Sequence, residues 1–217
     1  MKQGADGFEL DVTLSADGVP VVIHDDKVDR TTNGCGLVTS HTLAALRELD
    51  AGSWFGAQFE GERIPAFDEV LTRYNGRVHI HTEIKGKSPS LSQRTADLIR
   101  KQGMERQVTV TSFQSVRLEE MRAYAPELPM GWLVREVNDS IIAQAHAISV
   151  TQLCPRADTV TPELVHRLHV EGFVARAWGV ATEELMQRLV QAGVDGMTVN
   201  FPDKLIAYLD AHNYLWE

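Results

Sequence analysis

Short apolar runs alternate with amphipathic stretches along most of this chain. Runs rich in Val, Ile, Phe or Trp predict strands at 7–12, 78–84, 107–112, 129–134, 147–153, 173–178 and 194–199. Their near-continuous apolarity is that of strands buried on both faces. Between them, apolar residues at helical spacing predict helices at 91–101 (Leu91, Leu98, Ile99), 115–124 (Val116, Leu118, Met121), 162–170 and 182–192 (Leu185, Met186, Leu189, Val190), with a weaker helix at 139–146. Thr161-Pro162-Glu163 supplies an N-cap, a first-turn proline and a first-turn acid, and Gly193 closes the helix before it. Such alternation predicts an α/β fold with a parallel sheet.

One stretch departs from the pattern. Asp17-Gly18 is a hairpin signal between 9–14 and 20–24. From there to about residue 66 come turns, a helix at 41–49 and the apolar Trp54-Phe55-Gly56, which read as an insertion (about 25–66) over one end of the sheet. No repeat, low-complexity tract or linker divides the chain, so 1–217 is expected to be a single domain. Seven strands are one short of a closed (β/α)8 barrel, which typically takes about 250 residues. The expectation is therefore that a strand is missing ahead of Met1.

Composition narrows the function. The 217 residues carry 43% hydrophobic and 24% charged side chains and a net charge of -9. An acidic chain without a basic run is not built for nucleic acid. No apolar run approaches the ~20 residues of a transmembrane segment. Cys35 and Cys154 form no CxxC pair, which argues against structural zinc and a disulfide framework. That cysteine usage gives the expectation of a cytoplasmic protein.

The chemistry gathers in three fragments. In Gly7-Phe8-Glu9-Leu10-Asp11-Val12, two carboxylates at i and i+2 of a strand face the same side. Two anions in one enclosed space need a cation or a proton between them. The apolar Val21-Val22-Ile23 ends on His24-Asp25-Asp26, and Ile80-His81-Thr82-Glu83-Ile84-Lys85 puts Glu83 and Lys85 on one face, with His79 and His81 as lining. Together they read as a hard-metal site beside an acid/base histidine. The structural alternatives are an ion pair for Glu83 and Lys85, a histidine capped by Asp25 or Asp26, and core packing for Trp178. Arg30 suits a phosphate contact or a turn equally.

In order and spacing the chain resembles the glycerophosphodiester phosphodiesterase family. The fragments that carry the resemblance are Gly4–Val12, Asp17–Asp25, Arg30-Thr31-Thr32-Asn33-Gly34, Ile64-Pro65, Glu83-Ile84-Lys85, Ser112-Phe113, Ala177-Trp178 and Gly193-Val194-Asp195-Gly196. The resemblance implies a (β/α)8 TIM barrel with its site at the C-terminal strand ends. It implies a divalent cation, Mg²⁺ or Ca²⁺, on Glu9, Asp11 and Glu83, an all-oxygen set that suits a hard ion. It makes His24 one of two catalytic histidines, places Lys85 near the phosphate, and lets Trp178 wall a glycerol pocket. The substrate implied is a small glycerophosphodiester, hydrolysed to sn-glycerol 3-phosphate and an alcohol through water or a cyclic phosphate.

Two departures qualify this. The family opens with a strand ending in His-Arg-Gly, and neither that strand nor its helix has a counterpart here. The expectation is a start further upstream or a truncated relative, impaired in turnover, whose open edge invites a homo-oligomer. Val199-Asn200-Phe201-Pro202 also differs from the family's Thr-Asp before the proline. Alternative functions are a non-catalytic phosphate- or metal-binding relative and a phosphodiesterase directed at lysophospholipids.

Overall fold

The computed structural model describes residues 4–214. Its eight strands are β1 (Gly7–Leu14), β2 (Pro20–Val22), β3 (His79–Ile84), β4 (Val108–Ser112), β5 (Met130–Val134), β6 (Gln152–Pro155), β7 (Val174–Ala177) and β8 (Gly196–Met197). Its helices are α1 (Leu43–Arg47), α2 (Phe67–Tyr74), α3 (Pro89–Lys101), α4 (Ser115–Tyr124), α5 (Asp139–Ile148), α6 (Pro162–Val170), α7 (Glu183–Ala192) and α8 (Pro202–Ala211). The sheet order is β2-β1-β3-β4-β5-β6-β7-β8, with β2 antiparallel to β1 and the others parallel. This is the wall of a (β/α) barrel. Among the described residues no strand joins β8 to β1. Helix α8 does return to the start of the chain, where a Cβ built on Gly4 would stand 2.9 Å from Ile206 Cγ1.

Alternation along the strands separates two environments. Leu10, Val12, Leu14, Ile80, Ile84, Val108, Val110, Met130, Trp132 and Val134 belong to one buried cluster with Phe67, Leu71, Leu91, Ile99, Leu118 and Met121 of the helices. The intervening positions, Glu9, Asp11, His81, Glu83, Thr109 and Thr111, carry polar groups on the other face. The strands are therefore apolar toward the helices and polar toward the barrel interior, where uniform apolarity was expected. Neighbouring backbones approach closely: a Cβ on Gly7 would stand 2.3 Å from the His79 carbonyl oxygen, so only glycine fits there.

The 15–19 turn forms as expected: Gly18 has φ +76°, and Ser15 Oγ bonds Asp17 Oδ1 at 2.6 Å. The stretch beyond it has its own small core of Val21, Ile23, Val28, Val38, Leu46 and Ile64. It returns to β2 through Val22 N–H donating to Pro65 O at 3.0 Å.

Two expectations need correction. The strand expected at 147–153 begins only at Gln152, because α5 runs on to Ile148. Asn138 caps that helix by accepting from Ile141 N–H at 3.0 Å, and Ile142, Ala145 and Ile148 bury one helical face. Ser149 then ends it in the left-handed region at φ 61°. The strand expected at 194–199 reduces to Gly196–Met197, and helix α8 follows where none was expected.

Candidate active site

Parallel register builds the centre of the site. Glu9 pairs with His81 and Asp11 with Glu83, so the carboxylates of β1 and β3 meet on one face. One carboxylate oxygen from each of Glu9, Asp11 and Glu83 lies within 4.8 Å of the others. Asp11 and Glu83 are 8% and 7% exposed. Burial first, and then the charge of Asp11, pushes the Glu9 carboxyl up to about 7. The same two causes, in the same order, push Glu83 up to about 8. Three crowded acids, two of them retaining protons near neutrality, are a site in search of positive charge. The donor set is all oxygen and fits a hard divalent cation.

Two cations border the cluster. Lys85 extends from the end of β3, with Nζ 3.1 Å from Asp11 Oδ1 and donating to the His24 carbonyl at 3.1 Å. It ties the carboxylate cluster to the loop after β2. Two of its three N–H donors are engaged in this way. Arg176 on β7 is 8% exposed, and its charge acts on Glu9. Its guanidinium donates to Thr198 Oγ1. Sequence reasoning passed over Arg176. The available signal was a charge on the otherwise apolar Val174–Ala177, two residues before Trp178 and so on its face.

His24 lies on the loop after β2, its side chain 65% exposed, with Nδ1 2.6 Å from Asp25 Oδ1. Of the two acids expected as possible caps, Asp25 is the one that binds. Trp178 is half-buried at the end of β7. Its indole N–H donates to Val134 O at 3.0 Å, and its ring meets Phe113 edge-on at 4.8 Å between centroids. Phe113 is 40% exposed, so the pair forms an aromatic rim. Arg30 binds Asp25 five residues before it, which braces the loop after β2. The His79 and His81 rings meet at a tilt, 4.9 Å between centroids, and His79 Nε2 is 2.9 Å from Thr109 Oγ1. Burial drives the His81 pKa down to about 2, so this pair is a neutral lining. Cys154 is fully buried and its thiol is pushed up to about 12, which leaves it inert.

A (β/α) barrel with three acids and a lysine gathered on adjacent strands, and a histidine on the neighbouring loop, is an enzyme-like arrangement suited to acid/base or metal-assisted chemistry. The profile of the "Glycerophosphoryl diester phosphodiesterase family" matches residues 1–204. A glycerophosphodiester phosphodiesterase of Caldanaerobacter subterraneus subsp. tengcongensis is 37% identical over 210 residues, which is 95% of this chain and 86% of that one. A glycerophosphodiester phosphodiesterase of Bacillus subtilis is 31% identical, covering 93% and 76%. Among solved structures, an Oleispira antarctica phosphodiesterase in complex with the product sn-glycerol-3-phosphate superposes with a TM-score of 0.89 at 27% identity, covering 96% of this chain and 87% of that chain. The chain belongs to the glycerophosphoryl diester phosphodiesterase family, and its enzyme class is that of a phosphodiesterase.

Proposed function

We propose that this single domain hydrolyses a small glycerophosphodiester to sn-glycerol 3-phosphate and an alcohol, using Mg²⁺ or Ca²⁺ held by Glu9, Asp11 and Glu83. The observation that carries the reading is the convergence of those three carboxylates within 4.8 Å on adjacent strands. Family membership and the product complex of the Oleispira relative support the substrate class. The cation, when bound, supplies neutralisation of the charge that develops on a phosphoryl oxygen. Lys85 donates its third N–H to the phosphate as a charge-assisted bond. His24 moves a proton, either from the nucleophile or to the departing alkoxide. Trp178 and Phe113 wall the glycerol side.

The test is release of glycerol 3-phosphate from glycerophosphocholine, with Mg²⁺ or Ca²⁺ and with EDTA. Turnover that EDTA abolishes supports the reading. Cation binding without turnover makes the chain a binding relative instead.

A second reading keeps the chemistry and enlarges the substrate to a lysophospholipid. Trp54, Phe55 and Phe59 are 52%, 69% and 37% exposed and meet edge-on or tilted in sequence at 5.6 and 5.3 Å between ring centroids. Such a ridge suits an acyl chain. Replacing Phe55 and Phe59 by Ser is then expected to lower kcat/KM for lysophosphatidylcholine about tenfold or more, the loss of ~1.5 kcal/mol of apolar contact. Turnover of glycerophosphocholine stays unchanged. Equal effects on the two substrates would remove this reading.

A further inference from the structure

His24 stands on an exposed loop, yet a continuous chain of contacts leads from its ring into the 27–61 region. His24 Nδ1 lies 2.6 Å from Asp25 Oδ1. Arg30 grips the same carboxylate twice, Nε to Oδ2 at 2.6 Å and Nη2 to Oδ1 at 2.9 Å. The Arg30 guanidinium in turn sits 5.7 Å from the centre of the Trp54 ring, within cation–π range.

Each end of this chain is braced from its own side. Arg30 rides on a loop closed by the Lys27–Leu37 bridge and pinned by buried Val28. Within that loop, Gly36 N–H donates to Asp29 Oδ2 at 2.8 Å, and Thr32 Oγ1 donates to Val28 O at 2.8 Å. Trp54 is fixed by its indole N–H donating to Ala51 O at 2.9 Å. Its turn is organised by the Asp50 carboxylate, which accepts from the backbone N–H groups of Gly52, Ser53 and Gly61.

We propose that Asp25 is the positioning residue for His24, with Arg30 as the clamp that holds Asp25 and Trp54 as the stop that holds Arg30. This deepens the hydrolase reading of the same site and rests on it. A carboxylate that faces Nδ1 selects the tautomer with the proton on that nitrogen. The lone pair is then on Nε2, the nitrogen free to face the reacting phosphodiester. Arg30 binds both oxygens of Asp25, so the carboxylate is not free to swing away. An exposed histidine without these contacts would sample both tautomers and several rotamers. The charged groups that face His24 are Asp25 and Arg30 from its own loop, Lys85 from the end of β3 at its carbonyl, and Glu9 of β1, on whose carboxyl the His24 charge acts.

The test compares D25N, R30Q and H24A with the intact chain, loaded with Mg²⁺. D25N is expected to lower kcat on glycerophosphocholine by about 10², the effect of a misplaced catalytic group, with KM little changed. R30Q lowers kcat in the same way by less. In the H24A background D25N is expected to add nothing, since the two act as one unit. Nitrogen-15 NMR of the His24 ring is expected to show the Nδ1–H tautomer in the intact chain and a mixture in D25N. This last measurement needs no turnover. If the intact chain does not hydrolyse glycerophosphodiesters, the hydrolase reading fails while the spectrum still decides the positioning. An unchanged ring spectrum in D25N, or a D25N loss that persists at full size in H24A, would overturn the proposal.

Discussion

Glu83→Gln lowers cation-dependent turnover by about 10² or more, and in the absence of cation it stabilises the protein at alkaline pH. The two effects have opposite sign and one cause. Glu83 lies beside Asp11 in register on adjacent strands, with an oxygen inside the same 4.8 Å cluster as Glu9. If Glu83 holds the cation, removing its charge removes a ligand for an ion that would supply several kcal/mol of transition-state stabilisation, hence the rate loss. Without cation the same charge is a liability. Glu9 and Glu83 start from an ordinary value of 4.5 and are raised to about 7 and about 8 on folding. The folded state therefore holds more protons than the unfolded chain above pH 4.5. The stability these groups contribute is complete below 4.5 and falls as pH rises through about 7 and about 8. Urea midpoints of the cation-free proteins at pH 8.5–9 should place E83Q above the parent, and added cation should reverse that order because only the parent binds it tightly. Binding at pH 7 should also release protons. An E83Q chain with undiminished turnover and cation affinity would remove Glu83 from the metal site.

The parts of the site that could be read from the sequence are those where one short segment holds the information. Glu9 and Asp11 share a face because a strand has a period of two. Glu83 and Lys85 repeat that logic on β3, but only the register, Asp11 beside Glu83, shows that the two fragments meet. The Asp17-Gly18 turn and the helix starting at Pro162 follow from local backbone chemistry in the same way. Length and polarity defeated the reading elsewhere. Ala147-Ile148-Ser149-Val150 is a short apolar run that fits a strand or a helix end, and the spacing of Ile142, Ala145 and Ile148 decides for the helix. The polar inner faces of Thr109 and Thr111 were hidden by the Val residues between them. Arg30 shows a different limit. Its partner Asp25 is five residues away and its aromatic stop, Trp54, lies across the insertion. No periodicity predicts a contact of that kind.

His24→Ala lowers kcat/KM for glycerophosphocholine by about 10²–10⁴, the usual cost of losing a general acid or base. Cation affinity and folding stability hold steady. They do so because His24 is outside the carboxylate cluster and its side chain is 65% exposed, and surface substitutions of that kind stay within about 0.5 kcal/mol. The drop in rate is thus separable from the E83Q drop, which carries cation affinity with it. Leaving-group chemistry then assigns the direction of proton transfer. An alkoxide such as choline's must be protonated as it departs, whereas p-nitrophenolate departs without help. If His24 is the acid, H24A loses much less rate on a p-nitrophenyl phosphodiester of glycerol than on glycerophosphocholine. If His24 is the base, the two substrates lose rate equally, since the nucleophile is the same in both. A rate within threefold of the parent on both substrates would return His24 to the surface. Asp25, Arg30 and Trp54 would then brace a loop and no more.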